Sequence, residues 1–258
     1  MTRRLALRLM IGLVLLAAAA LLTPGSPVYF PNLLYGNRES FDGHSTGYWI
    51  KELDSSDSQT RQHAIFALGA IGDDGGEAVP ALAKRLHEDP DPEARYKAAL
   101  ALSKMCPSAR EAVPELAEAL DDDEPFVRVN AAMALFRLGG DARSAIPALI
   151  RAVEDEANLT RSPPVFSYTT QELAVLALGR ASAGSSLGVP VLMTALENAK
   201  TTNMRRAAAR ALGDIGAEAR LAVPQLRAML KDKDDDLRQT AESALDLIGS
   251  EEPSIGSR

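Results

Sequence analysis

The chain has 258 residues, 46% of them hydrophobic but only 5% aromatic, so alanine and leucine must supply the core, which favours helices. The formal charge is −7, and the first 25 residues hold Arg3, Arg4 and Arg8 without an acid, leaving 25 of the 28 basic residues against 35 acids elsewhere and making nucleic acid a poor partner. One cysteine, Cys106, excludes an internal disulfide framework and a cysteine-rich metal site.

The N-terminus reads as a targeting segment. In "MTRRLALRLMIGLVLLAAAALLTPGSP" a basic start precedes an apolar run from Leu9 to Leu22 and a Thr-Pro-Gly-Ser-Pro stop. As a helix the run spans about 21 Å, short of a hydrocarbon core of about 30 Å. If it starts at Leu5 and Arg8 snorkels toward the headgroups, the length nearly suffices. Residues 1–25 are thus either an uncleaved anchor or a cleaved signal, and both readings place the rest outside the cytoplasm, touching membrane only through this segment. Residues 26–46 read as a linker.

From residue 47 to 249 two lines alternate. The first is "VPALAKRL" (79–86), "VPELAEAL" (113–120), "IPALIRAV" (146–153), "VPVLMTAL" (189–196) and "VPQLRAML" (223–230), with "GYWIKEL" (47–53) as a proline-free first copy in which Trp49 and Leu53 replace the two leucines. Proline suits a first helical turn, so each copy opens a helix A. The second line places an arginine, two alanines and a leucine on one helix face: Arg61, Ala64, Ala67 and Leu68, then Arg95, Ala98, Ala101 and Leu102, and so on to Arg238, Ala241, Ala244 and Leu245. Repeat four alone departs, with Gln171 in the arginine column. These six copies form helix B.

Four residues before the arginine column stand Asp57, Asp91, Glu124, Ser167, Thr201 and Asp234, the expected N-caps of helix B. Four after the anchor leucine come Gly72, Cys106, Gly139, Ser182, Gly216 and Gly249, read as left-handed C-caps where glycine occurs. The prolines are spaced 34, 33, 43 and 34 apart, so repeat four carries nine extra residues within "EDEANLTRSPPVFSYTT" (154–170). Asn158-Leu159-Thr160 inside it matches a glycosylation acceptor. The tail 250–258 has no apolar periodicity and is expected to be disordered.

The segments "DPDPEARYKAALAL" and "DGHSTGYWIKELDSSDSQTRQHAIFALGAIG" (42–72) resemble the HEAT-like repeat family, in the short form associated with phycobilisome lyases and in exported bacterial HEAT proteins. The resemblance implies an all-α, right-handed solenoid of about six two-helix repeats, with A helices outside and B helices lining the concave side. It also implies a ladder in which Arg61, Arg95, Arg128, Arg205 and Arg238 meet the acid or hydroxyl at the start of helix B in their own or a neighbouring repeat, here Asp57, Asp91, Glu124 and Asp234, the acid at i and arginine at i+4 also supporting one helix, with the rung weakest at Ser167 and Gln171. A catalytic member of similar architecture, deoxyhypusine hydroxylase, holds two irons with several His-Glu pairs. This chain has three histidines, His44, His63 and His87, and one such pair, His87-Glu88. A bilin lyase is a further enzymatic possibility.

No catalytic, cofactor or metal residue is singled out, and no cofactor is expected. The expected partner is a protein or peptide, held along the concave face and the repeat-four insertion, with a purely structural envelope component as the alternative. Candidate contacts are Phe66, Tyr96, Leu100, Met133 and Leu176 as an apolar strip, Arg206 and Arg210 as a basic patch, and Arg161, Phe166 and Tyr168 in the insertion. The strip residues read equally as packing between neighbouring B helices.

Overall fold

In the computed structural model, which describes residues 40–159 and 168–249, each pair of lines is a pair of helices. In chain order they are α1 (Thr46–Glu52) with α2 (Ser58–Ile71), α3 (Val79–Glu88) with α4 (Pro92–Lys104), α5 (Val113–Glu118) with α6 (Pro125–Leu138), α7 (Ile146–Glu154) with α8 (Thr170–Ala181), α9 (Val189–Asn198) with α10 (Thr202–Ile215), and α11 (Val223–Met229) with α12 (Asp235–Ile248). Odd helices are A and even helices are B. They stack as a right-handed α-solenoid.

The alanine stripe is the reason the stack closes. The two alanines and anchor leucine of every B helix are buried, and they face the A-helix leucines Leu82, Leu116, Leu149, Leu192 and Leu226, buried as well. Each fully buried leucine contributes about 1.5–3 kcal/mol. Consecutive B helices pack along the whole array, α2 on α4 through to α10 on α12, whereas consecutive A helices touch more sparsely. The tighter side is the inner side, so the B helices line the concave face.

One column sets that close approach. Glycines directly after the anchor leucine lie against an alanine of the next B helix: a Cβ on Gly179 would sit 2.5 Å from Ala211 Cα, one on Gly213 2.9 Å from Ala244 Cα, and one on Gly69 3.0 Å from Ala101 Cβ. The links from B to A run through 3-10 turns, among them Gly72–Ala78, Ser108–Ala112, Gly139–Ala145 and Ala217–Ala222. Their last residues, Ala78, Ala112, Ala145 and Ala222, are fully buried just before helix A.

The helix starts follow the caps read from sequence, except in repeat four. Asp57 accepts from the Thr60 N–H at 2.8 Å, Asp91 from Glu93 at 2.9 Å, Thr201 from Met204 at 3.1 Å and Asp234 from Asp236 at 2.9 Å. Glu124 makes the weaker contact its longer side chain allows, 3.4 Å to Phe126 N. Helix α8 starts later than its column predicts: its N-cap is Thr169, in a reciprocal capping box with Glu172, and Ser167 lies outside the described residues. At the other end, Gly249 alone of the six C-cap positions takes the left-handed α conformation. Gly72, Gly139 and Gly216 have φ of 73°, 56° and 84° with ψ near extended, a region open to glycine. Ser182 keeps a negative φ of −91° with ψ 7°, and the positive φ passes to Gly184 at 67°.

Residues 40–45, within the stretch read as linker, form a hairpin of β1 (Ser40–Phe41) and β2 (His44–Ser45) turning through Asp42 and Gly43 at positive φ. Phe41 packs edge-on against Trp49 and Phe66, and its carbonyl accepts from Trp49 Nε1 at 3.2 Å. The hairpin thereby covers the open end of the first repeat, as solenoids require. The targeting segment and the tail lie outside the described residues. Among the described residues no helix is long and apolar enough to cross a membrane.

Candidate functional site

Two surfaces compete for function: the line of arginine rungs between repeats, and the concave face of the B helices. The rungs differ from the expected ladder in their acids. Arg61 holds Asp89 through two bonds of 2.8 Å and donates through Nη1 to the carbonyls of Ser55 and Ser56. Arg95 holds Asp122 at 2.8 and 3.0 Å and donates to Asp89 O, and Arg205 meets Asp232 at 2.9 Å. The partner is therefore the acid two residues before the N-cap of the next repeat. Asp57, Asp91, Glu124 and Asp234 do not fill that role because their carboxylates are turned onto their own helix N–H groups. Asp91 instead ties back to the preceding repeat through Ser58 and Gln62. Arg238, in the last described repeat, bonds the carbonyls of Asp232 and Lys233 and the side chain of Asp235.

The first rung is the most buried: Arg61 is 6% exposed and Asp89 2%. Burial alone would raise the Asp89 carboxyl, but the Arg61 hydrogen bonds, the Asp91 N–H and the charges of Arg61 and Arg85 outweigh it and hold the carboxyl below its ordinary value. The same contact raises Arg61. Such pairs are cross-braces between repeats and leave no free valence for a ligand.

Repeat four breaks the series. Arg128 takes the Asn158 side chain at 2.9 Å in place of a carboxylate, and Asn158 in turn donates to Ala152 O. Asn158 is 1% exposed, so it is a structural strut and no glycosylation acceptor. Gln171 donates to Val153 O at 2.6 Å, and Ala199 stands where the next acid would be. A cavity of about 630 Å³ opens there, lined by Val153, Gln171, Val191, Ala199 and Met204 among others. Its rim includes Leu159 and Thr169, on either side of residues 160–167. Arg161 and Phe166 lie in that stretch, outside the described residues, while Tyr168 is 43% exposed.

On the concave face the expected apolar strip is uneven. Phe66 is 55% exposed, Leu100 and Met133 are half-buried, and Leu176 is 5% exposed. Leu176 is therefore corrected to the core. Tyr96 is half-buried with its ring 5.8 Å from that of Phe126. Arg206 is engaged with Asp236 at 3.4 Å, and Arg210 is exposed. The strip ends where the basic patch begins, so the two are not one surface.

The sequence reading missed a lane beside that strip. Lys104, Arg137 and Arg180 occupy the column two residues after the anchor leucine in repeats two, three and four, and all three are exposed. The Lys104 ammonium lies 6.0 Å from the Phe66 ring centroid, and the Arg180 guanidinium stacks 4.5 Å above Phe136. Arg137 Nη1 donates to Ser103 O and Arg180 Nη1 to Phe136 O, both at 3.2 Å, capping the C-terminal turn of the preceding B helix. Neither arginine nor Lys104 forms an ion pair among the described residues. The lane ends at Asp214, whose carboxyl burial pushes up against the charges of Arg210 and Arg180. Lane members lie 33 and 43 residues apart, so only alignment of the repeats on their anchor leucines exposes them.

Histidines do not converge. His63 sits edge-on to Trp49 at 5.1 Å, His44 stacks on Tyr48, and His87 Nδ1 meets Glu118 Oε2 at 3.1 Å on the surface. Among the described residues no group of three metal-ligating side chains forms.

This architecture defines a class: a helical-repeat scaffold with braces between units and a continuous concave face. The chain belongs to the HEAT repeat family. The model described as HEAT repeats matches residues 48–135 and 166–246, and that described as PBS lyase HEAT-like repeat matches 127–155. Among solved structures, the complex of CpcE and CpcF of phycocyanin lyase from Nostoc is 29% identical, with a TM-score of 0.56 over 80% of this chain and 77% of that one. An engineered protein is 25% identical, with a TM-score of 0.59 over 80% of this chain and 96% of its own. A designed armadillo repeat protein in complex with the peptide (KR)4 shares the fold at 19% identity, with a TM-score of 0.63 over 80% of this chain and all of its own. No curated protein matches.

Proposed function

We propose that the chain is a non-catalytic scaffold of the cell envelope that holds a protein or peptide segment along its concave face. The observation that carries this reading is the face itself: the B helices bury their alanine stripe against one another, yet still present Phe66, the half-buried Leu100 and Met133, and the exposed cations Lys104, Arg137 and Arg180, which form no ion pair among the described residues. The rungs are consumed by bracing, and the histidines stand apart. The phycocyanin lyase neighbour, at 29% identity, is a complex of two proteins, which supports a protein partner here. The envelope location is supported by the basic start and apolar run of residues 1–25.

A photo-reactive residue at Phe66, exposed on the concave face, in the full chain in its native cells, is expected to give one dominant adduct. The same residue at Glu111, between repeats on the opposite side of the B helices, is expected to give none. Adducts to the chain itself alone would support the structural-component reading and refute the scaffold.

A further inference from the structure

We infer that the concave face of repeats one to four takes an acidic, apolar-containing peptide segment, its carboxylates facing Lys104, Arg137 and Arg180 and its apolar side chains lying on Phe66, Leu100 and Met133. The inference rests on the scaffold reading and adds the chemistry of the occupant. Charge is the first ground. The chain carries more acids than bases, yet this lane holds one cation per repeat for three consecutive repeats and no ion pair among the described residues. The long-range repulsion of an acidic partner by the rest of the molecule is screened beyond about 8 Å at physiological salt, so the local lane decides the sign.

Pre-organisation is the second ground. Each arginine spends a single Nη1 on a backbone carbonyl of the preceding repeat, and Arg180 is also stacked on Phe136. Each planar fork is thus fixed in place with its Nε and Nη2 donors left over for a carboxylate, so less side-chain entropy is lost on binding. A residue needed only to cap a helix would not have to be arginine, and Lys104 caps nothing described. The third ground is adjacency. The Lys104 ammonium lies over Phe66, so apolar and basic lanes form one amphipathic strip. A segment in the polyproline II conformation, with three residues per turn and about 3.1 Å rise, presents every third side chain on one face about 9 Å apart, so an acid at every third residue registers with helices packed about 10 Å apart. Intervening leucines would then reach the apolar lane.

The test uses the full chain in a non-ionic detergent and three labelled peptides of equal length, with Glu, Gln or Lys at every third position and leucine among the intervening residues. The Glu peptide is expected to bind, to weaken as salt rises, and to lose about tenfold in affinity to the Arg137→Gln, Arg180→Gln double variant. The Gln and Lys peptides are expected to bind far more weakly. Equal binding of the Gln or Lys peptide, or unchanged binding of the Glu peptide by the double variant, overturns the inference. Should that variant lose helix, Lys104→Gln, which removes no described backbone hydrogen bond, decides in the same way with a few-fold loss. The photo-adduct keeps the two proposals apart. An adduct in cells with no binding of the Glu peptide leaves the scaffold and refutes the acidic occupant. Binding of the Glu peptide without an adduct supports the lane chemistry and refutes the scaffold.

Discussion

Replacing Gly179 with alanine tests the geometry that holds the repeats together. In an exposed helix the change would stabilise by about 1 kcal/mol through helix propensity. Here the new Cβ would lie 2.5 Å from Ala211 Cα, 2.6 Å from its Cβ and 2.7 Å from its carbonyl oxygen. Carbon atoms prefer about 3.5–4.0 Å, so α8 and α10 must part by about 1 Å along a contact made of backbone, which cannot rotate away. Overpacking of this kind costs about 1–3 kcal/mol, and opening the seam also loosens neighbouring alanines. The net expectation is a loss of about 2 kcal/mol, or about 4–8 °C in Tm for a domain of this size. Gly213→Ala, at 2.9 Å from backbone, should cost less, and Gly69→Ala, at 3.0 Å from a methyl, least. Gly140→Ala, with nothing within 4 Å, serves as the control. Thermal melts followed by far-ultraviolet circular dichroism read the series. A Gly179→Ala protein that melts at or above the parent would refute close B-helix packing as the organising contact.

Asp89→Asn should destabilise by about 3–5 kcal/mol because it leaves the buried Arg61 guanidinium without its charge partner, and Asp122→Asn by less because Arg95 keeps solvent access; urea unfolding measures both. Stability should fall in acid. Folded Asp89 and Asp91 titrate below their ordinary value, the latter chiefly through the Ser58 hydroxyl, so their contribution is complete above about pH 4 and is lost as pH drops through the folded values. A midpoint unchanged on acidification would contradict this, and the Asp89→Asn variant should show a shallower decline. Cys106 should resist alkylation at about pH 8 until the chain unfolds, since burial pushes its thiol up to about 11 against the opposing charge of Arg137.

What the sequence made legible was whatever repeats within one helix turn or two. The A-helix prolines, the alanine stripe with its anchor leucine, and the N-caps Asp57, Asp91, Thr201 and Asp234 depend on local spacing, and local spacing is written in the chain. The rung acids were misplaced by two residues because Asp57 and Arg61 form an attractive intra-helix pair on paper. In space the cap position turns the carboxylate inward while the arginine reaches back across to the next repeat's loop. The basic lane was hidden for a related reason. Its members are neighbours only across repeats, and Lys104, Arg137 and Arg180 look like unrelated last-turn cations that suit any helix C-terminus. Phe66 and Leu176, which share a column, differ in exposure because Phe66 lies at the open end of the array beside the hairpin, whereas Leu176 is enclosed by repeats on both sides.

The irregularities of repeat four have one physical origin. Nine added residues between α7 and α8 delay the start of α8 to Thr170, so Gln171 falls in the second position of its helix and not the fourth that the other rung residues occupy. From there its amide donates to the Val153 carbonyl within its own repeat, and the place of the next acid is taken by the half-buried Ala199. Glutamine and alanine at these two sites are thus a matched change. The Arg128 rung, deprived of its acid by the same displacement, is completed by Asn158, drawn from the added stretch itself. The cavity of about 630 Å³ lies where this rung is missing, with Gln171 and Ala199 both in its lining. Restoring one partner alone, as Gln171→Arg, should therefore destabilise the protein, read as a Tm below that of the parent.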